Sequence, residues 1–253
     1  MALLEVKNLT KRFAGVVAIQ DVSFTISPGE IFGLIGPNGA GKTTLFNLVS
    51  GTFPVSAGQI FFKQREISLF PDYRICQSGI ARTYQNIRLF GKMTVLENVL
   101  VGRHSRTRAG LGSILLRLPR ERAENARSRK IAEEWLEFFH LLAKKEEKAS
   151  NLAYGEERRL EMARAMAAEP SLLLLDEPSA GMNAQEVRDL NELILKIRKQ
   201  GKTIFLIEHN MRVIMDICDR IVVLDFGQKI AEGPPEVVRA HPRVIEAYLG
   251  REA

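Results

Sequence analysis

Gly36-Pro37-Asn38-Gly39-Ala40-Gly41-Lys42-Thr43 forms a complete GxxxxGK[ST] loop, set directly after the apolar run Ile31-Phe32-Gly33-Leu34-Ile35 and directly before the helix-compatible Thr44-Leu45-Phe46-Asn47-Leu48-Val49. A loop of this pattern between a strand and a helix is a site for a nucleoside triphosphate. Its glycines let the backbone curl so that N–H groups face phosphate oxygens, and the following helix adds its positive end. Lys42 supplies a point charge for the β- and γ-phosphates, and Thr43 a hydroxyl for Mg²⁺. A turn that merely closed a strand would need neither the lysine nor the hydroxyl. Gly36, Pro37, Asn38, Gly39, Ala40, Gly41, Lys42, Thr43 and Thr44 are therefore the candidate phosphate-binding residues.

Leu172-Leu173-Leu174-Leu175-Asp176-Glu177-Pro178 is the second decisive segment, a buried strand that delivers two carboxylates at its end. In a phosphate site the first, Asp176, holds the Mg²⁺ shell, and the second, Glu177, can orient and polarise the attacking water. Elsewhere, Val22, Phe24 and Ile26 alternate with polar neighbours, as in a half-buried strand. Thr94-Val95-Leu96-Glu97 has the form of a capping box and predicts a helix start. Ile131, Trp135, Phe138, Phe139 and Leu142 fall at helical spacing and predict a helical region from about Arg120 to Leu142. Beyond it come a strand at Leu172 to Leu175, a helical pattern at Val187, Leu190, Ile194 and Ile197, and a strand at Thr203 to Ile207. That alternation belongs to a mostly parallel sheet with crossover helices. The expected organisation is one nucleotide-binding domain over residues 1–253, interrupted by a helical subdomain from roughly Asn86 to Ser150.

Composition limits the function classes. The chain has 253 residues, 45% hydrophobic and 26% charged, which is ordinary for a globular α/β protein. Its longest aliphatic runs are strand length, far below the roughly 20 residues that span a bilayer. The opening Met1-Ala2-Leu3-Leu4-Glu5-Val6-Lys7 lacks the pattern of a secretion signal, and the two cysteines, Cys76 and Cys218, fit a reducing cytoplasm. The net charge of +6 is concentrated at Arg103, Arg106, Arg108, Arg117, Arg120, Arg122, Arg127, Arg129 and Lys130. A solvated helix face accounts for this cluster; proximity to lipid headgroups is the alternative. With no aromatic-and-basic stripe for base stacking, no nucleic-acid partner is expected.

Taken with these motifs, the chain resembles the ATP-binding subunits of ABC transporters over essentially its whole length. The resemblance implies an α/β fold: a P-loop NTPase core with a mostly parallel sheet, an antiparallel β subdomain and an inserted helical subdomain. It implies ATP and Mg²⁺ as ligands. Gln85, in Arg82-Thr83-Tyr84-Gln85-Asn86, matches the glutamine that in the family touches Mg²⁺ and links the nucleotide to the membrane partner. His209, in Ile207-Glu208-His209-Asn210, matches the histidine that contacts the γ-phosphate. Phe13 stands where the family places an aromatic ring against adenine, a role for which a core phenylalanine competes. Leu152-Ala153-Tyr154-Gly155-Glu156 occupies the place of the usual LSGGQ signature, with Ala153 lacking the usual hydroxyl and Glu156 replacing an amide. Asn183, in Ala180-Gly181-Met182-Asn183, replaces the usual aspartate of the D-loop.

The signature continuation Arg158-Arg159-Leu160-Glu161, the insertion through Gly110-Leu111-Gly112-Ser113 and the ending Ala247-Tyr248-Leu249-Gly250 resemble, more narrowly, an ATPase subunit of bacterial branched-chain amino acid importers. The implied partners are two membrane permease subunits, a second ATP-binding subunit in a homo- or heterodimer, and indirectly a periplasmic or extracellular substrate-binding protein. The implied location is the cytoplasmic face of the inner membrane. A lipopolysaccharide-export ATPase, a urea or amide importer and, more remotely, a soluble ABC ATPase acting on nucleic acid or the ribosome are the alternatives.

Overall fold

The computed structural model describes residues 1–106 and 119–249. Arg108, Gly110 to Ser113, Arg117 and Gly250 lie outside the described residues, as do the side chains of Arg120 and Arg122. The described chain forms two compact units, residues 1–82 with 171–249 and residues 83–106 with 119–170.

The first unit holds two sheets. Strands β1 (Leu4–Phe13), β2 (Val16–Ile26), β4 (Ala57–Phe62) and β5 (Arg65–Glu66) make an antiparallel sheet in the order β2-β1-β4-β5. In β2 the side chains of Val22, Phe24 and Ile26 are buried while Asp21, Ser23 and Thr25 are not, which is the two-residue period of a sheet with one dry face. The second sheet runs β10-β9-β3-β8-β7-β6, from β3 (Ile31–Ile35), β6 (Ile80–Arg82), β7 (Leu172–Asp176), β8 (Thr203–Ile207), β9 (Arg220–Asp225) and β10 (Gln228–Gly233). All of its pairings are parallel except β10 with β9. Every residue of β3, β7 and β8 is buried. Continuous apolar runs suit such strands because both of their faces are covered.

Helix α1 (Lys42–Val49) sends Phe46 against Phe205 of β8, with ring centroids 4.6 Å apart. Phe24 of β2 stacks on Phe32 of β3 at 5.4 Å, so aromatic rings from both sheets share one core. The unit also contains α2 (Asp72–Ser78), α6 (Ala184–Lys199), α7 (Met211–Ile217), α8 (Pro235–Arg239) and α9 (Pro242–Leu249). Leu190, Ile194 and Ile197 form the buried face of α6, as their spacing requires. Asn183, at the D-loop position, caps this helix: its Oδ1 accepts the N–H groups of Gln185 at 2.9 Å and Glu186 at 3.1 Å.

Register explains where the chemistry collects. Ile207 of β8 lies opposite Leu34 of β3 on one side and Asp176 of β7 on the other. Since the three strands are parallel, the segments that leave their carboxyl ends emerge side by side. Those segments begin with Gly36, Glu177 and Glu208.

The second unit, Thr83 to Pro170, is helical: α3 (Val95–Arg103), α4 (Pro119–Phe138) and α5 (Tyr154–Ala167). It extends past the expected boundary at Ser150 and takes in α5. The capping box is present as expected, with Thr94 Oγ1 accepting the Glu97 N–H at 3.1 Å and the Glu97 carboxylate accepting the Thr94 N–H at 2.7 Å. Helix α4 stops at Phe138, because His140 takes a left-handed φ of 58°, and Leu142 belongs to a separate 3₁₀ turn. The buried stripe is Ser128, Ala132, Leu136 and Phe139, while Ile131, Trp135 and Phe138 are only half-buried. Helix α3 approaches α5 so closely at Gly102 that a Cβ there would lie 2.1 Å from the Arg164 carbonyl oxygen. Part of the basic cluster serves this packing. Arg103 is buried, donating to the Ala167 carbonyl and pairing with Glu169 at 3.1 Å, and Arg106 donates to the Ala168 carbonyl.

Candidate functional site

The loop between β3 and α1 requires its glycines. Gly36 has φ 153°, and a Cβ there would lie 2.2 Å from the Leu224 carbonyl oxygen; Gly41 has φ 100°, and its Cβ would lie 2.7 Å from that of Ala18. Gly41 caps α1 without a side-chain hydrogen bond, so the first turn presents backbone N–H groups rather than a capping oxygen. Lys42 is 6% exposed and folds back over the loop, its Nζ donating to the carbonyls of Gly36 at 2.7 Å and Pro37 at 2.9 Å. Burial lowers its pKa below the ordinary lysine value, while the nearby carboxylates of Glu177 and Asp176 pull it back up. Thr43 is exposed and Thr44 half-buried in the same turn.

Asp176 ends β7 at 2% exposure and is paired: Arg82 Nη2 lies 2.8 Å from its Oδ2. The same guanidinium donates to Asn47 Oδ1 at 2.6 Å and Ser50 Oγ at 3.0 Å on α1 and its end. One arginine from β6 thus fixes the carboxylate of β7 relative to the helix that begins at the phosphate loop. Sequence reasoning missed it, since β6 joins β7 across more than eighty residues and no local pattern announces that pairing.

Glu177 takes a left-handed φ of 49°, with its N–H donating to the Ile207 carbonyl at 2.9 Å. This turn points its side chain at His209, whose Nε2 lies 2.7 Å from Glu177 Oε1. The first unit therefore brings Lys42, Asp176, Glu177 and His209 together. Phe13 ends β1 with its ring edge-on to Phe53 at 5.3 Å and the Lys11 ammonium 4.8 Å from its centroid. It is 39% exposed, so it is not the fully buried core residue that was the competing role.

Gln85 and the segment Leu152 to Glu156 belong to the second unit. Gln85 is exposed, and its backbone is held by α5: Arg158 donates to the carbonyls of Tyr84 and Gln85, and the Tyr84 N–H donates to Glu161 at 3.2 Å. Arg158 also donates to the Tyr154 hydroxyl at 3.2 Å. Arg158 and Glu161 are both buried, so the Gln85 segment and the start of α5 are joined by one internal polar network. Burial raises the pKa of Glu161 against the opposing pull of the Tyr84 N–H and Arg158.

Leu152 is buried, whereas Ala153, Tyr154, Gly155 and Glu156 lie at or beside the surface where α5 begins. Glu156 makes half of a capping box, its carboxylate accepting the Ala153 N–H at 3.1 Å and pairing with Lys144 at 2.8 Å. The bond to Lys144 is the main reason its pKa is lowered. Ala153 has no side-chain oxygen to return the second half. Ala153→Ser is expected to complete the cap and stabilise the chain by about 1 kcal/mol, read as a higher urea midpoint. An unchanged midpoint would mean that the serine hydroxyl points away from α5.

Comparisons with known proteins give the family. The ABC transporter family matches residues 19–180, and the branched-chain amino acid ATP-binding cassette transporter family matches residues 228–253. The chain is 45% identical over 249 residues, 98% of each chain, to the high-affinity branched-chain amino acid transport ATP-binding protein LivG of Escherichia coli strain K12. It is 42% identical, again over 98% of each chain, to the corresponding protein BraF of Pseudomonas aeruginosa. Among solved structures, an ATP-binding cassette of an ABC transporter in its ADP conformation matches with a TM-score of 0.86 and 30% identity, covering 99% of both chains. With a phosphate loop, paired carboxylates and a histidine gathered at the carboxyl ends of β3, β7 and β8, the chain belongs to the ATP-binding family of ABC transporters.

Proposed function

We propose that this protein is the ATP-hydrolysing motor subunit of a bacterial importer of branched-chain amino acids. The meeting of Lys42, Asp176, Glu177 and His209 at one end of the parallel sheet carries the hydrolytic part of this reading. The full-length likeness to two branched-chain amino acid transport proteins, together with the family match at residues 228–253, supports the substrate class. ATP is the substrate of the site. The loop from Gly36 to Thr44 binds its phosphates, Lys42 offsets their charge, Glu177 polarises water, and His209 stabilises the γ-phosphate. Phe13 offers its exposed ring face to the base.

Thr43 and Asp176, both of the first unit, would hold Mg²⁺. Among the described residues no group of three or more His, Cys, Asp or Glu could bind a metal alone. A hydroxyl and a carboxylate suit a hard cation that keeps waters and takes phosphate oxygens. Bound there, Mg²⁺ would neutralise charge on the transferred phosphoryl group.

The working assembly is two permease subunits with two ATP-binding subunits, fed by a substrate-binding protein and placed at the cytoplasmic face of the membrane. No helix among the described residues is long and apolar enough to cross a membrane. In a head-to-tail pair, Leu152 to Glu156 of one subunit faces the ATP of the other. ATP favours the closed pair and hydrolysis resets it. Uptake of labelled leucine, isoleucine and valine in a deletion strain tests the reading, because full uptake without this gene would remove it.

Gln85 links the site to the permeases. Gln85→Ala is expected to lower transport and permease-stimulated hydrolysis by about tenfold or more while changing ATP affinity by about twofold or less. Reconstituted vesicles give both quantities, and equal losses would reduce Gln85 to a nucleotide ligand.

A further inference from the structure

Glu208 follows β8 and is 3% exposed. Its Oε1 accepts the Ser179 N–H at 2.8 Å, and its Oε2 accepts the N–H groups of His209 at 3.2 Å and Asn210 at 3.4 Å. Ser179 lies two residues beyond Glu177, and His209 is the next residue after Glu208. The bond from His209 Nε2 to Glu177 Oε1 at 2.7 Å then closes a ring of contacts, side chain to side chain on one side and carboxylate to backbone on the other. We propose that Glu208 is a positioning residue for ATP hydrolysis, fastening the loop after β7 to the loop after β8 so that the His209 ring stays within hydrogen-bond reach of Glu177.

A carboxylate suits this task because its two oxygens offer about four acceptor sites. One side chain can therefore serve N–H donors from both loops. A glutamine offers one acceptor oxygen, and its amide nitrogen would face a backbone N–H, leaving a buried donor unpaired. The two loops could then move apart without either losing its own strand. A displacement of about 1 Å at reacting groups costs on the order of 100-fold in rate. Glu208 itself contacts backbone and acts through His209 and Glu177, so this inference rests on their assignment to hydrolysis.

The test compares Glu208→Gln, Glu177→Gln and His209→Ala in the full chain, with Mg-ATP affinity, phosphate release and melting temperature measured for each. The chain has 4 histidines, and in ¹⁵N-histidine-labelled protein the resonance missing from His209→Ala is that of His209. For Glu208→Gln the turnover number is expected to fall about 10- to 100-fold with ATP affinity held within about twofold. Its His209 resonance should move away from its position in the parent, because the ring leaves the Glu177 carboxylate. Wild-type turnover would overturn the proposal, and so would a loss of turnover with the His209 resonance unmoved. So would a fall in turnover, affinity and melting temperature together, which marks a merely structural role. Should the glutamine variant not fold, Glu208→Asp carries the same measurements: it keeps the carboxylate beside His209 but is one methylene too short for Ser179, and its turnover should still fall with affinity kept. Wild-type hydrolysis by both Glu177→Gln and His209→Ala would instead remove the catalytic reading itself.

Discussion

Lys42→Ala is expected to weaken ATP binding about 100- to 1000-fold while leaving the fold intact. The ammonium sits inside the phosphate loop, on the carbonyls of Gly36 and Pro37, at 6% exposure. A triphosphate placed in that loop takes the ammonium over, and each charge-assisted hydrogen bond is worth about 1.5 to 3 kcal/mol, with 1.4 kcal/mol equal to tenfold in affinity. Losing the lysine leaves the phosphates without their nearest protein cation. In the free protein, burial already lowers the Lys42 pKa. Bound phosphate favours the charged form and raises it. Binding is therefore accompanied by proton uptake on the alkaline side. The sign follows: affinity of the parent falls as pH rises through the lowered pKa of the free protein, and the alanine variant shows no such fall. Fluorescence titration of nucleotide at several pH values reads both effects. Wild-type affinity in the variant would refute the assignment of the loop.

Much of the fold was legible because its signals are local. The four leucines of β7 and the apolar run of β3 can only be buried strands, and the glycine loop between β3 and α1 needs no tertiary information to be recognised. Thr94 with Glu97, and Leu190 with Ile194 and Ile197, likewise carry their structure in a few neighbouring residues. Signals failed where tertiary context took over. Helix α4 ends at Phe138 although the apolar spacing continues to Leu142, because a left-handed residue at His140 redirects the chain.

The site divides in the same way. Lys42, Asp176 and Glu177 each stand in a segment whose residue types announce phosphate chemistry, and His209 is reached through the family resemblance. Arg82, Glu208, Arg158 and Glu161 lie within quoted motifs, but their own roles were not legible there, for each owes its role to a partner brought near by folding. Arg82 acts on Asp176 through the adjacency of β6 and β7, and Glu208 reaches Ser179 across the ends of β8 and β7. An arginine or glutamate is ordinary surface material in a sequence. Only its burial and its several bonds separate these four from their solvated neighbours.

Glu177→Gln is expected to lower ATP hydrolysis about 100- to 10,000-fold, the range of a general base, and to leave ATP affinity within about twofold of the parent. The amide has nearly the shape of the carboxylate, so the left-handed turn at φ 49° and the backbone bond to Ile207 are kept. What is lost is the negative oxygen that attracts a proton from water. The bond of His209 Nε2 to Glu177 Oε1 at 2.7 Å does not distinguish the two side chains by reach, since an amide also offers an oxygen there. Lys42 and the loop glycines are untouched, and phosphate binding therefore persists. In the proposed cycle ATP favours the closed pair and hydrolysis resets it, so the variant should accumulate a long-lived ATP-bound dimer where the parent's dissolves. Phosphate release in a single turnover measures the first effect, and sedimentation with and without Mg-ATP measures the second. Ordinary hydrolysis in the variant would assign the water to another group, with His209 the first candidate. Slow hydrolysis without an ATP-dependent dimer would instead place the weakness at the start of α5, where Ala153 offers no hydroxyl to an opposing phosphate.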